Sequence, residues 1–130
     1  MTLLLDTNIL VDIEHGTPGI MKRMGDVSKQ DPSQPAISFV SHFEFLWGLR
    51  NKKDKYKMSQ SGFINEFIIL QSSRVTPIIM CSLRQKYELR GAIISLGDLI
   101  IASLAIEHNM TLVTKDKDFQ KIEELSKIIL

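Results

Sequence analysis

Residues 97–114 read GDLIIASLAIEHNMTLVT, a stretch that passes from one kind of periodicity to another. Its first part, DLIIASLAIEH, is an apolar run of helical length, and Asp98 stands in the first turn, where a carboxylate meets the positive end of the helix dipole. Asn109 ends that helix, and MTLVT at 110–114 reads as the clearest late strand. A helix that hands the chain directly to a short strand is half of a βαβ unit, so the neighbouring segments are read for the other half.

Downstream, KDKDF at 115–119 reads as a loop and KIIL at 127–130 as a final edge strand. Upstream, residues 82–94 look helical, and RVTPII at 74–79 resembles a short strand interrupted by Pro77. Residues 63–70 carry an apolar helical pattern, after a basic, polar break at 52–57. Ser41 reads as an N-cap with Glu44 three residues later, as in a capping box, opening a largely buried helix through FEFLWGL. AISFV at 36–40 is read as a strand behind the DPSQP loop at 31–35. Helical stretches are expected on both sides of an interruption at Gly16 and Pro18, the second running from about Gly19 to Ser28. Leu3 to Leu5 form a short buried strand that delivers Asp6 and Asn8 to a loop. Strand and helix thus alternate, which predicts an α/β fold with a central parallel sheet and helices on both faces, because parallel neighbours need crossover connections.

The chain has 130 residues, 16 basic against 15 acidic, and 44% apolar residues, within the globular range for one domain spanning 1–130. At this size roughly two-thirds of the unfolded surface is buried, so neither disulfides nor structural metal are required. Cys81 is the single cysteine; it suits a reducing compartment and is read as a small buried thiol. The N-terminus lacks a basic n-region and a small-residue cleavage site, and no apolar run is long enough to span a membrane, so a cytoplasmic location with no membrane partner is expected. A net charge of +1 gives no overall field for polyanions, leaving RNA contact to local clusters: Arg50, Lys52, Lys53, Lys55 and Lys57, or Arg84, Lys86 and Arg90. GxxxxGK[ST], GxGxxG and HExxH are all absent, and one cysteine cannot build a zinc ribbon.

Doubly wound sheets hold their ligands at the carboxyl ends of the strands. Asp6 follows the first strand, Glu44 lies shortly after the second, Asp98 opens a helix, and Asp116 and Asp118 follow the late strand. Carboxylates gathered on one sheet edge repel each other unless a cation neutralises them, and an all-oxygen donor set favours Mg²⁺ or Mn²⁺. Each acid also has an ordinary explanation as a cap or a solvated charge. At 100° per residue Phe43, Phe45, Leu46, Trp47 and Leu49 cover a broad apolar arc, while Ser41, Glu44 and Gly48 share the remaining narrow one. That arrangement reads the aromatic residues as core and leaves Glu44 facing either a ligand or solvent.

Together LLLDTNIL at the start, S-x-x-E-x-x-x-G at 41–48, GDLIIAS at 97–103 and TLVTKDKDF at 111–119 resemble the PIN domain, specifically its VapC-type toxins. The resemblance spans nearly the whole chain, with the elements in the expected order. It implies a metal-dependent endoribonuclease with Asp6, Glu44, Asp98 and Asp116 as the acidic set. Asp6, Asp98 and Asp116 would hold Mg²⁺ or Mn²⁺, and Glu44 would complete the metal shell or orient the attacking water. Asn8, Ser41 and Thr114 fit polar helpers, and Asp118 a substitute or helper for Asp116. It also implies a cognate antitoxin and a homodimer. Ser103 departs from the commoner alanine. Two alternatives remain at this level: a haloacid-dehalogenase-like phosphatase, which expects an acid where Asn8 stands, and a non-catalytic PIN-fold binding module.

Overall fold

A computed structural model describes residues 2–130. Five strands, β1 (Leu3–Leu5), β2 (Ala36–Ser38), β3 (Ile68–Leu70), β4 (Thr111–Thr114) and β5 (Lys127–Ile129), form one sheet in the order β3-β2-β1-β4-β5, every pairing parallel. Six helices connect them: α1 (Thr7–His15), α2 (Pro18–Gln30), α3 (Phe39–Gly48), α4 (Asp54–Ile64), α5 (Thr76–Leu89) and α6 (Leu96–Glu107). A 3₁₀ turn over Lys117–Lys121 takes the place of the loop read there.

The two-residue period of the strands sorts the core into two layers. Leu4, Ala36 and Leu112, paired across β2-β1-β4, face one side and pack with Leu83, Tyr87, Leu99 and Leu104 of α5 and α6. Leu5, Ile37 and Val113, one position on, face the other side with Ile9, Leu10, Ile20 and Met24 of α1 and α2. Burial on both faces explains why the strands read as continuous apolar runs without alternation. The expected helices on both faces are therefore present.

Several local readings are corrected. Residues 63–70 divide: α4 stops at Ile64, and Ile68–Leu70 join the open edge of β2 as β3. A short apolar run carries too few residues for periodicity to separate helix from strand, and the free edge decides. RVTPII is not a strand. Pro77 lies in the first turn of α5, where its missing N–H costs nothing and its fixed φ suits the helix. That helix ends at Leu89, short of Ile94, and Gly91 follows with φ +76°. Strand β2 is shorter than expected, because the Ser38 hydroxyl accepts the Ser41 N–H and starts α3 at Phe39; Ser38, not Ser41, is the N-cap. Asn109 does end the preceding helix, with φ 52° in the left-handed region that asparagine tolerates. Cys81 is exposed rather than buried, being on the outer side of α5. No helix among the described residues is long and apolar enough to cross a membrane.

Candidate active site

Chain order reverses its direction across the sheet between β1 and β4, which opens a crevice at their carboxyl ends. Asp6 lies at the end of β1, and its backbone N–H still pairs with Val113 O at 3.0 Å before its side chain caps α1 by accepting the Thr7 N–H at 2.8 Å. The carboxylate is 6% exposed. Its Oδ2 accepts the Thr114 hydroxyl at 2.7 Å and the Asn8 amide at 3.2 Å. Thr114, fully buried at the end of β4, also accepts the Asp116 N–H at 3.0 Å, so one hydroxyl fixes the position of both acid-bearing loops. The Asn8 carbonyl takes the Lys115 N–H at 3.2 Å, which fixes its amide toward Asp6.

Glu44 comes from α3. Thr7 Oγ1 lies 3.0 Å from Glu44 Oε1 and 2.9 Å from Ser41 Oγ. With a single proton to give, Thr7 donates to the carboxylate and accepts from Ser41, which in turn takes the Ser38 hydroxyl at 3.3 Å. Asp98 stands in the first turn of α6, and its N–H donates to the Ser95 N-cap hydroxyl at 3.3 Å. Asp118 donates its N–H to Asp116 Oδ1 at 2.9 Å, closing the β4 loop on itself.

Asp6, Glu44, Asp98 and Asp116 all line one open groove of about 510 Å³, shared with Asn8 and Ser95. Asp118 lines an adjoining hollow that also contains Asp98. Ser41 and Thr114 lie behind the groove wall, touching it through Thr7 and Asp6. Thr7, Ser38 and Ser95 were not singled out from sequence, although the S-x-x-D spacing of Ser95 and Asp98 is a helix-start signal. The aromatic residues are placed differently from the expected core: Phe45 is buried, but Phe43 and Trp47 are 61% and 56% exposed. Residues Arg84, Lys86 and Arg90 are engaged by Glu88, Glu123 and Glu124, so this basic group is neutralised within the chain.

Electrostatically the groove is under strain. Burial raises the Asp6 carboxyl above its ordinary range, partly opposed by the Thr114 and Thr7 hydrogen bonds, and the charges of Glu44 and Asp116 raise it further. Asp98 is raised chiefly by burial and then by Asp6, Asp116 and Asp118. Convergent oxygen donors with mutual repulsion fit a hard divalent cation. No group of three His, Cys, Asp or Glu side chains among the described residues is disposed to hold one ion directly. The fit is therefore to an ion that keeps part of its water shell and meets some carboxylates through water, as Mg²⁺ does.

A parallel α/β sheet with four carboxylates lining a groove at its switch point defines an α/β protein whose candidate site lies where such sheets carry their ligands. The PIN domain family model matches residues 3–125, and the chain belongs to that family. It is a homologue of Ribonuclease VapC2 from Rickettsia felis, 33% identical over 129 residues that cover 96% of this chain and 95% of the relative. Among solved structures, VapBC2 from Rickettsia felis bound to a DNA fragment from its promoter matches with a TM-score of 0.85 and 29% identity, covering 99% of this chain and 98% of that one. A toxin–antitoxin complex from Klebsiella pneumoniae matches with a TM-score of 0.74 and 27% identity over 95% of both chains.

Proposed function

We propose that this chain is a divalent-metal-dependent endoribonuclease that hydrolyses RNA phosphodiester bonds as the toxin of a toxin–antitoxin pair in the cytoplasm. The observation that carries the chemistry is the convergence of four carboxylates in one groove. The resemblance to a VapC ribonuclease over 96% of the chain supplies the substrate class.

Asp6, Asp98 and Asp116 would hold Mg²⁺ or Mn²⁺, directly or through water. When bound, such an ion lowers the pKa of a coordinated water and offsets charge on the attacked phosphate. The remaining work belongs to the chain. Thr114, Asn8 and the Thr7 N–H aim both Asp6 oxygens, and the Thr114 and Thr7 bonds offset part of the burial that disfavours its charge. Ser95 holds the first turn of α6 and so sets where Asp98 enters the groove. Glu44, held by the Thr7 hydroxyl, would complete the metal shell or orient the attacking water. By the resemblance to VapC ribonucleases, hydrolysis would leave a 5′-phosphate and a 3′-hydroxyl.

A cognate antitoxin would cover the acidic groove, and a homodimer is the proposed assembly. The relatives' VapBC and toxin–antitoxin complexes support the first of these. End-group analysis of cleaved RNA tests the reaction: 5′-phosphorylated fragments are expected. Hydrolysis of a simple phosphomonoester with RNA left intact would instead identify the phosphatase reading.

A further inference from the structure

The exposed face of α3 presents a feature that the acidic groove does not use. Phe43 lines the groove beside Glu44, Trp47 follows one helical turn further along α3, and Arg50 stands in the turn just after the helix. The Phe43 and Trp47 rings are nearly parallel, at 18°, with centroids 6.3 Å apart. That spacing lies within the range of an offset stack, and both rings remain more than half exposed to solvent. The Arg50 guanidinium sits 4.2 Å from the Trp47 ring centre and is anchored by a 2.7 Å bond to the Trp47 carbonyl. Immediately beyond, residues 50–57 carry Arg50 and four lysines against the single acid Asp54.

Flat exposed rings followed by clustered cations match the chemistry of single-stranded nucleic acid, whose bases stack on aromatic faces while its phosphates seek positive charge. The groove itself repels a polyanion, so a substrate needs an attractive surface adjoining it. We propose that Phe43 and Trp47 form a base-stacking platform for single-stranded RNA, which runs from the acidic groove along α3 and lays its phosphates against residues 50–57. This rests on the ribonuclease reading above and adds the path of the substrate and two residues that bind it.

Trp47 is the only tryptophan, so its fluorescence reports on the platform alone. The protein, freed of any copurified partner, is titrated in EDTA with an oligoadenylate of about ten nucleotides, within the range that single-strand sites span. The platform predicts quenching of Trp47, binding weakened about tenfold by Phe43→Ala, and binding restored by Phe43→Tyr. Both positions are exposed, and unchanged thermal melting of the variants verifies that they fold. Binding without quenching and unaltered by Phe43→Ala, with metal-dependent cleavage intact, overturns the platform and leaves the ribonuclease reading standing. Self-association lost in Phe43→Ala with RNA affinity unchanged overturns it too, by assigning the stripe to contact between two copies of the chain. RNA that is neither bound nor cut overturns the ribonuclease reading itself, and the platform with it.

Discussion

Thr114 carries more of the site than its size suggests. Its one hydroxyl donates to Asp6 and accepts the Asp116 N–H, so the acids of β1 and β4 share a single hinge point. Thr114→Val keeps the shape and removes both bonds. Partners of this kind typically cost 10–100-fold in metal affinity or activity, and we expect RNA cleavage to fall by about that factor while Thr114→Ser retains most of it. Equal activity of the Val variant in a cleavage time course would show that Asp6 needs no such support. The raised carboxyls of Asp6 and Asp98 give a second prediction. Their protons are held more tightly in the folded protein than in the unfolded chain, so without metal their contribution to stability declines as pH rises through the ordinary carboxylate range toward the elevated folded-state values. Removing one charge should relieve this. Asp98→Asn is expected to gain melting temperature relative to wild type between about pH 4 and pH 7 in EDTA, by a few degrees. A difference that does not change with pH would contradict the repulsion.

Helix starts decide where the acids stand, and they also mark how far the sequence could be read. The Asp98 position was legible because a carboxylate in the first turn of a long apolar helix has a clear electrostatic reason to be there. Glu44 was legible only in part. A serine stands three residues before it, but Ser38 in fact caps α3 and leaves Ser41 free to relay a hydrogen bond through Thr7. Local spacing contains both caps, and only the end of β2, set by pairing with β1, chooses between them. The misread segments 63–70 and 74–79 have the same origin: a three-residue strand gains its identity from its neighbour, and Pro77 is equally at home in a broken strand or a first helical turn. The exposure of Phe43 and Trp47 was hidden because the apolar arc of α3 is wider than the side that meets the sheet, so the pattern does not declare which of its residues are buried. One residue inside α6 offers a test at this scale. Ser103 is fully buried with no partner for its hydroxyl. Since an unsatisfied buried hydroxyl costs about 1–3 kcal/mol and alanine is the better helix former, Ser103→Ala should be neutral or stabilising in chemical denaturation. A loss above about 1 kcal/mol would reveal a hydrogen bond that the geometry lacks.

At the scale of the whole molecule, parallel order explains why residues 92 positions apart in sequence, Asp6 and Asp98, can share a groove. The sheet needs its last strand fixed, and α5 provides the clamp. Tyr87 is 2% exposed; its hydroxyl donates to Glu124 at 2.6 Å and accepts the Glu123 N–H at 2.8 Å. Lys86 and Arg90 add ion pairs to the same two glutamates at the surface. Because exposed pairs contribute little, Tyr87→Phe should cost about 1 kcal/mol or more and Lys86→Ala under about 0.5 kcal/mol, as measured by urea unfolding. The reverse ranking would place the clamp in the surface charges. The carboxylate groove and its chemistry are tested most directly by one paired assay: cleavage of a single-stranded RNA in Mg²⁺ or Mn²⁺ by wild type and by Asp98→Asn purified identically, with EDTA as the third arm. Cleavage by the wild type should fall at least about 100-fold in both the variant and the EDTA arm. Cleavage that survives in either would contradict a metal-dependent site built on these acids.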